Sequence, residues 1–113
     1  MQNDFQIYLP AKNEEIDIKQ TINDIKKITN DRIIVVDNDS SDDTHNIATK
    51  YADKVIVERS PGKGNVVKRI INDANCKFLF FTDGDNTYDV SKYEQHKKLM
   101  IENNLDMIVG KRI

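Results

Sequence analysis

Two carboxylates with a glycine between them are the sharpest chemical signal in this sequence. Asp83, Gly84 and Asp85 follow the apolar run Phe78–Phe81, separated from it only by Thr82. A buried strand ending there would deliver both acids to one loop, because glycine lets the chain turn tightly. Hard divalent cations such as Mg²⁺ and Mn²⁺ take one or two carboxylates together with phosphate oxygens. The pattern predicts a metal site at Asp83 and Asp85, and a solvated Asp-Gly turn is the alternative.

A second acidic segment follows another apolar run, residues 33–36. Asp37 closes that run, and a carboxylate at a strand end can accept a hydrogen bond from a base N–H or a sugar hydroxyl. The residues after it, 40–44, have the Ser/Asp/Thr pattern of a helix N-cap, which Ser40 or Ser41 would provide. We expect this cap to explain Asp42 and Asp43, whose charge suits a helix N-terminus, but not Asp37.

A third polar segment, Ser60-Pro61-Gly62-Lys63-Gly64-Asn65, opens a predicted helix. A glycine turn with a lysine at a helix N-terminus can contact phosphate. The segment matches neither the Walker loop nor the dinucleotide fingerprint, so a simple turn is the alternative.

Other chemical signals are sparse. Asp83-Gly84-Asp85-Asn86-Thr87 also fits a phosphatase pattern with Asp83 as nucleophile, but that pattern belongs after the first strand of its fold and here follows the fourth. His45 and His96 are predicted to be isolated surface residues on helices. Cys76 is predicted to be an inert, partly buried thiol.

Predicted strands and helices, which alternate along the sequence, position these residues. Short runs rich in β-branched and aromatic residues predict five strands, at residues 5–9, 33–36, 55–57, 78–81 and 107–109. Helical spacing predicts four helices between them, with the stripes Ile18/Ile22/Ile25/Ile28, Ile47/Ala48/Tyr51/Ala52, Val66/Val67/Ile70/Ile71/Ala74 and Tyr93/Met100/Ile101. Strict alternation predicts an α/β fold, a Rossmann-like and mostly parallel sheet with helices on both faces. In such sheets, ligands bind outside the carboxyl ends of the strands, where the polar segments fall.

Composition limits the partners. Lys and Arg number 17 against 19 Asp and Glu, a net charge of −2, which excludes a broad basic surface for nucleic acid. No apolar stretch approaches the roughly 20 residues of a membrane helix, and no signal-peptide pattern is present. A lone cysteine excludes a disulfide framework. We therefore expect a soluble, cytoplasmic, single domain over residues 1–113.

Five segments in register carry a family resemblance. They are Leu9-Pro10-Ala11-Lys12-Asn13-Glu14-Glu15, Val35-Val36-Asp37-Asn38-Asp39-Ser40-Ser41-Asp42-Asp43-Thr44, Pro61-Gly62-Lys63-Gly64, Thr82-Asp83-Gly84-Asp85 and Asp106-Met107-Ile108-Val109-Gly110-Lys111-Arg112. Their order resembles that of family 2 glycosyltransferases, in particular the polyprenyl- and dolichyl-phosphate sugar transferases. The resemblance covers nearly the whole chain.

The resemblance implies a GT-A fold that binds a nucleotide-diphospho-sugar, a UDP- or GDP-sugar, and transfers the sugar to an acceptor with inversion. It also implies site residues. Pro10, Ala11, Asn13 and Glu14 would line the nucleoside pocket, Asp37 would bind the base and Lys63 would approach the nucleotide. Asp83 and Gly84 would also bind the donor, and Asp83 and Asp85 would hold Mn²⁺ or Mg²⁺. Arg112 would bind the donor as the basic residue of a G-x-R motif.

Two departures from the family pattern shape the expectations. Asp39 stands where the family commonly has glycine. Relatives continue beyond the position of Ile113 with an acceptor-binding half that carries the catalytic base. We therefore expect this sequence to correspond to the nucleotide-binding half, with Asp89 or a residue of a second subunit as base and homodimerisation completing the site. The alternative is a nucleotide-sugar-binding module without transferase activity.

Overall fold

The computed structural model describes residues 5–74, 78–81, 93–102 and 107–109. Strands and helices alternate as predicted. They are β1 (Phe5–Ala11), α1 (Ile18–Ile28), β2 (Arg32–Asp37), α2 (Thr44–Tyr51), β3 (Lys54–Val57), α3 (Lys63–Asp73), β4 (Phe78–Phe81), α4 (Tyr93–Glu102) and β5 (Met107–Val109). The predicted site residues Asp83, Gly84, Asp85, Asp89 and Arg112, and also Cys76, lie outside the described residues.

The five strands form one sheet in the order β3-β2-β1-β4-β5. All four described pairings are parallel. β2 and β3 add to one side of β1, and the chain then crosses to the other side to place β4. This reversal puts a topological switch point between β1 and β4, where open α/β sheets bind ligands. The predicted fold class is confirmed.

Apolar residues cover both faces of the sheet. On one face Ile7, Leu9, Ile33 and Val35 pack under α1 and α2. On the other face Tyr8, Ile34, Val36 and Ile56 pack against Val66 and Ile70 of α3. Consecutive residues of β1 and β2 therefore enter opposite cores, which explains why these strands read as continuous apolar runs and not as alternating ones.

Among the stripe residues whose side chains the structure describes, two are exposed, so the apolar stripes of α1 and α3 are narrower than predicted. In α1, Ile18, Ile22 and Ile25 are buried, but Ile28 is 37% exposed. At about 100° per residue, Ile28 lies roughly 80° away from Ile18 around the helix. Ile71 of α3 is 57% exposed for the same reason, since it lies about 140° from Val66.

The first strand is two residues longer than predicted and includes Pro10. This strand pairs with β2 as far as Ala11, and Pro10 is in register with Val36.

Candidate functional site

The carboxyl ends of three adjacent strands are level with one another. Ala11 at the end of β1 is in register with Asp37 at the end of β2, and Asp37 is in register with Val57 at the end of β3. The loops that follow, residues 12–17, 38–43 and 58–62, therefore meet along one side of the sheet. We call this side the carboxyl edge.

Asp37 is a buried carboxylate that organises its own loop. Its side chain is only 3% exposed. One oxygen, Oδ1, accepts a 3.1 Å hydrogen bond from the backbone N–H of Ser40 and another from the Ser40 hydroxyl. The other oxygen, Oδ2, lies 3.6 Å from Nδ1 of His45. His45 is exposed on α2 as predicted, but the prediction that it is isolated is wrong, because the loop after β2 folds back and brings α2 against the end of the strand.

Asn13 joins the first loop to the second. Its backbone N–H donates to the Ser40 hydroxyl at 2.9 Å, and its side-chain oxygen accepts the backbone N–H of Ser41 at 2.9 Å. The residue has a φ of 53°, in the left-handed region that asparagine tolerates better than most residues. The predicted residues Asn13 and Asp37 are thereby linked through Ser40.

Thr44 and Asp42 make a second link between the same two loops. The buried Thr44 hydroxyl accepts the backbone N–H of Glu14 at 2.8 Å and donates to Asp42. Asp42 also accepts the backbone N–H of Thr44 at 3.0 Å and that of Glu15 at 3.3 Å. The expectation of a Ser40 or Ser41 cap is wrong. Asp43 is the N-cap of α2, without a side-chain capping bond, and Asp42 receives the N–H of the first helical residue.

Two opposing effects act on the Asp42 carboxyl. Removal from water raises its pKa. The hydrogen bonds from the hydroxyl and N–H of Thr44 and from the N–H of Glu15 favour the ionised form, and together they outweigh the first effect. The pKa of Asp42 therefore lies below its ordinary value of 3.8.

Asn38 ties the third loop to the other two. Its backbone N–H donates to Ala11 O at 2.9 Å. Its side-chain nitrogen donates to Glu58 O at 2.7 Å and to Ser60 O at 2.9 Å, and its side-chain oxygen accepts the N–H of Gly62 at 3.2 Å. Sequence reasoning did not select Asn38, although an amide directly after a strand-ending acid is a signal that could have drawn attention to it.

Lys63 is the first residue of α3 and is exposed at the carboxyl edge. Gly62 precedes it as the N-cap with a φ of 108°, a conformation that residues with a Cβ adopt only with strain. The glycine turn followed by a lysine is therefore present as predicted.

In the same loop, the N–H of Ser60 holds the pKa of Glu58 below its ordinary value of 4.5. Arg69 also lowers this pKa, and the loss of hydration around the carboxylate opposes both effects.

The structure brings four of the predicted binding residues to the carboxyl edge: Asn13, Glu14, Asp37 and Lys63. Pro10 and Ala11 lie just below them in β1, and the Ala11 side chain belongs to the core under α1. Within the described part of the chain, no group of three or more His, Cys, Asp or Glu residues is placed to hold a metal ion. The predicted metal pair falls outside that part.

Comparison with known proteins decides the family. The sequence model of glycosyl transferase family 2 matches residues 6–113. The chain belongs to glycosyltransferase family 2. RfbJ of Shigella flexneri is 38% identical over 107 residues, which cover 94% of this chain and 83% of RfbJ. The dolichyl-phosphate β-glucosyltransferase of Dictyostelium discoideum is 27% identical, over 94% of this chain and 39% of that enzyme.

The fold of this family 2 chain also resembles solved structures. Glucosyl-3-phosphoglycerate synthase from Mycobacterium tuberculosis, in complex with Mn²⁺, UDP and glucosyl-3-phosphoglycerate, superposes with a TM-score of 0.65 and 28% identity. The superposition covers 73% of this chain and 33% of the synthase. The chain thus has the GT-A glycosyltransferase fold and spans about a third of that enzyme. Among its described helices, none has the length and apolar character needed to cross a membrane.

The backbone conformation of Asp39 agrees with the glycine that the family resemblance leads us to expect at this position. Asp39 has a φ of 56°, the left-handed conformation that glycine adopts without a steric penalty. Aspartate is among the residues that enter this region most readily, because its short polar side chain bonds locally. The loop therefore has a conformation that both residues can adopt.

Proposed function

We propose that this chain binds the donor of a metal-dependent glycosyltransferase, which transfers a sugar from a UDP- or GDP-sugar to an acceptor with inversion. One observation carries the proposal. Asn13, Glu14, Asp37 and Lys63 converge on the carboxyl edge of a GT-A sheet in a chain of family 2. A structural neighbour that binds UDP and Mn²⁺ supports the nature of the ligand.

The nucleoside would lie over the ends of β1 and β2. Oδ1 of Asp37 is occupied by Ser40, so a base N–H would reach this carboxylate from the side of Oδ2, where His45 lies 3.6 Å away. Pro10 and Ala11 would form the floor below Asn13 and Glu14. The links from Asn13 and Glu14 join the two loops without any ligand, which would lower the ordering cost of binding.

The diphosphate would lie toward Lys63 and the segment that follows β4. This strand pairs in parallel with β1, so the chain leaves it toward the carboxyl edge, and Asp83 follows two residues after Phe81. Asp83 and Asp85, with Gly84 between them, would hold Mn²⁺ or Mg²⁺, and Arg112 would add a further positive charge. The cation would stabilise the charge that grows on the departing nucleoside diphosphate.

Transfer with inversion needs a base on the acceptor. The acceptor oxygen would form its bond to the anomeric carbon as the bond from that carbon to the phosphate oxygen breaks, and a carboxylate would take the hydroxyl proton. Asp89 or a carboxylate of a second subunit would be this base. The second possibility requires a homodimer, which light scattering over a wide concentration range would detect as twice the mass of 13.1 kDa.

Turnover is the test of this function. We expect release of UDP or GDP from a panel of nucleotide sugars when Mn²⁺ and candidate lipid-phosphate or sugar acceptors are present, and loss of release in the double variant Asp83→Asn, Asp85→Asn. Asp24→Asn, a change of the same type on α1, should leave turnover intact. Nucleotide binding without release under any acceptor condition would indicate the non-catalytic binding module.

A further inference from the structure

The side chain of Asn38 directs both of its donors and its acceptor oxygen to one loop. Both donors of its amide go to backbone carbonyls, Glu58 O and Ser60 O, and its oxygen accepts the N–H of Gly62. The residue is 93% buried, since its exposed fraction is 7%. Three hydrogen bonds from one side chain therefore hold three alternate residues of the loop that leads into α3.

Only an amide can make this set of bonds. Aspartate has the same shape, but its carboxylate has no N–H, and an oxygen would face the carbonyl oxygens of Glu58 and Ser60. Removing the donor from those carbonyl groups, and adding a charge beside them, would push the loop away from the end of β2. Such a shift would move Gly62, whose φ of 108° forms the turn into α3.

We propose that Asn38 is a positioning residue of the donor site, one that sets where Lys63 and the start of α3 stand relative to the diphosphate. This inference rests on the function proposed above. Asn38 also donates its backbone N–H to Ala11 O, so a single residue couples the end of β1, the end of β2 and the start of α3. Its effect on the nucleotide passes through the loop, without contact with the base.

Loss of the Asn38 hydrogen bonds should affect the binding of the phosphates more than the binding of the nucleoside. The nucleoside pocket is held by the separate links of Asn13 and Glu14 to the second loop, which Asn38 does not make. Displacing the third loop should weaken binding of a nucleoside diphosphate far more than binding of the nucleoside alone. A purely structural role would lower both affinities together.

The experiment is calorimetric titration of the full chain with UDP and with uridine, both with Mn²⁺, alongside the matched pairs for guanine, cytosine and thymine. For whichever base binds, Asn38→Asp should lower diphosphate affinity about tenfold or more and nucleoside affinity less than about threefold. The control Asn30→Asp makes the same atomic change in the exposed turn between α1 and β2, at the other end of the strands, and should leave both affinities unchanged.

A second variant covers the case in which Asn38→Asp fails to fold. Gly62→Ala leaves Asn38 in place, and a Cβ there would meet nothing within 4 Å, so it acts through backbone strain alone. It should also lower the affinity for the diphosphate more than that for the nucleoside. Equal losses for both ligands, or no loss, in the folded variants would overturn the role of Asn38. If the wild-type chain binds none of the diphosphates with Mn²⁺, the proposed function fails and this inference fails with it.

Discussion

The backbone N–H of Glu14 donates a 2.8 Å hydrogen bond to the hydroxyl of Thr44, thirty residues further along the chain. The same hydroxyl donates to Asp42, and Thr44 is fully buried. One side chain thus acts as acceptor for the first loop and as donor within the second. This oxygen atom is therefore one of the links that set the relative position of the two loops that would hold the nucleoside, beside those made by Asn13.

Replacing Thr44 by valine should therefore cost both stability and affinity. Valine keeps the shape but leaves the N–H of Glu14 without its acceptor, and we expect the free energy of unfolding to fall by about 1–3 kcal/mol in urea denaturation. UDP affinity should fall with it. Thr44→Ser restores the hydroxyl and should recover most of both losses. If the variant Thr44→Ala were as stable as Thr44→Ser and bound UDP as tightly, the role of the hydroxyl oxygen would be contradicted.

Asp42 should make stability depend on pH at the acidic end. Its pKa is lowered in the folded chain, so its contribution is fully present well above 3.8 and is lost as the pH falls through the lower folded value. Asp42→Asn removes this titration. The difference between wild type and variant in the free energy of unfolding should therefore shrink as the pH is lowered from 6 to 3. Curves that stay parallel over this range would show that the hydrogen bonds to Asp42 do not favour its ionised form.

The free energy of unfolding should differ between variants with glycine and with a β-branched residue at position 39. Asp39→Gly removes the steric cost of the 56° φ but also an exposed contact of 3.4 Å with Arg59, which contributes little. We expect it to leave the free energy of unfolding within about 1 kcal/mol of wild type. Asp39→Val should lower it by about 1–2 kcal/mol or more, because valine enters the left-handed region with difficulty. Equal stabilities of the two variants would be inconsistent with this loop conformation.

Tyr8 offers a change that should affect stability alone. Its buried hydroxyl lies 3.0 Å from Oδ2 of Asp73 and 3.2 Å from Oε1 of Gln6, near the amino ends of the strands and away from the carboxyl edge. Tyr8→Phe should lower the free energy of unfolding by about 1 kcal/mol, since Asp73 keeps a contact with Lys54 at 3.4 Å and partial access to water. Nucleotide affinity, measured by calorimetry, should not change. A parallel loss of affinity would mean that the two ends of the sheet are coupled.

The fold was accessible from the sequence because its signals are local. Five short apolar runs and the spacing of Ile18, Ile22 and Ile25 specify strands and helices whichever neighbours they meet. The strand order needed the structure, since nothing local to β4 indicates that it pairs with β1 and not with β3.

The site was accessible only in part. Asp37 at the end of β2 and the glycine turn before Lys63 could be predicted, because local sequence patterns mark where a strand ends and where a helix begins. The roles of Asn38, Ser40 and Thr44 depend on partners in loops that are distant in sequence, and the pairing of His45 with Asp37 depends on the path of one loop. Such contacts leave no periodic pattern, so residue spacing could not reveal them.

Calorimetric titration of the chain with UDP and GDP, with and without Mn²⁺, tests metal-dependent donor binding most directly. We predict saturable binding of at least one of the two nucleotides that strengthens markedly with Mn²⁺, and loss of that metal dependence in the double variant Asp83→Asn, Asp85→Asn. No binding of either nucleotide in the presence of Mn²⁺, or binding that is the same with and without the metal, would contradict it.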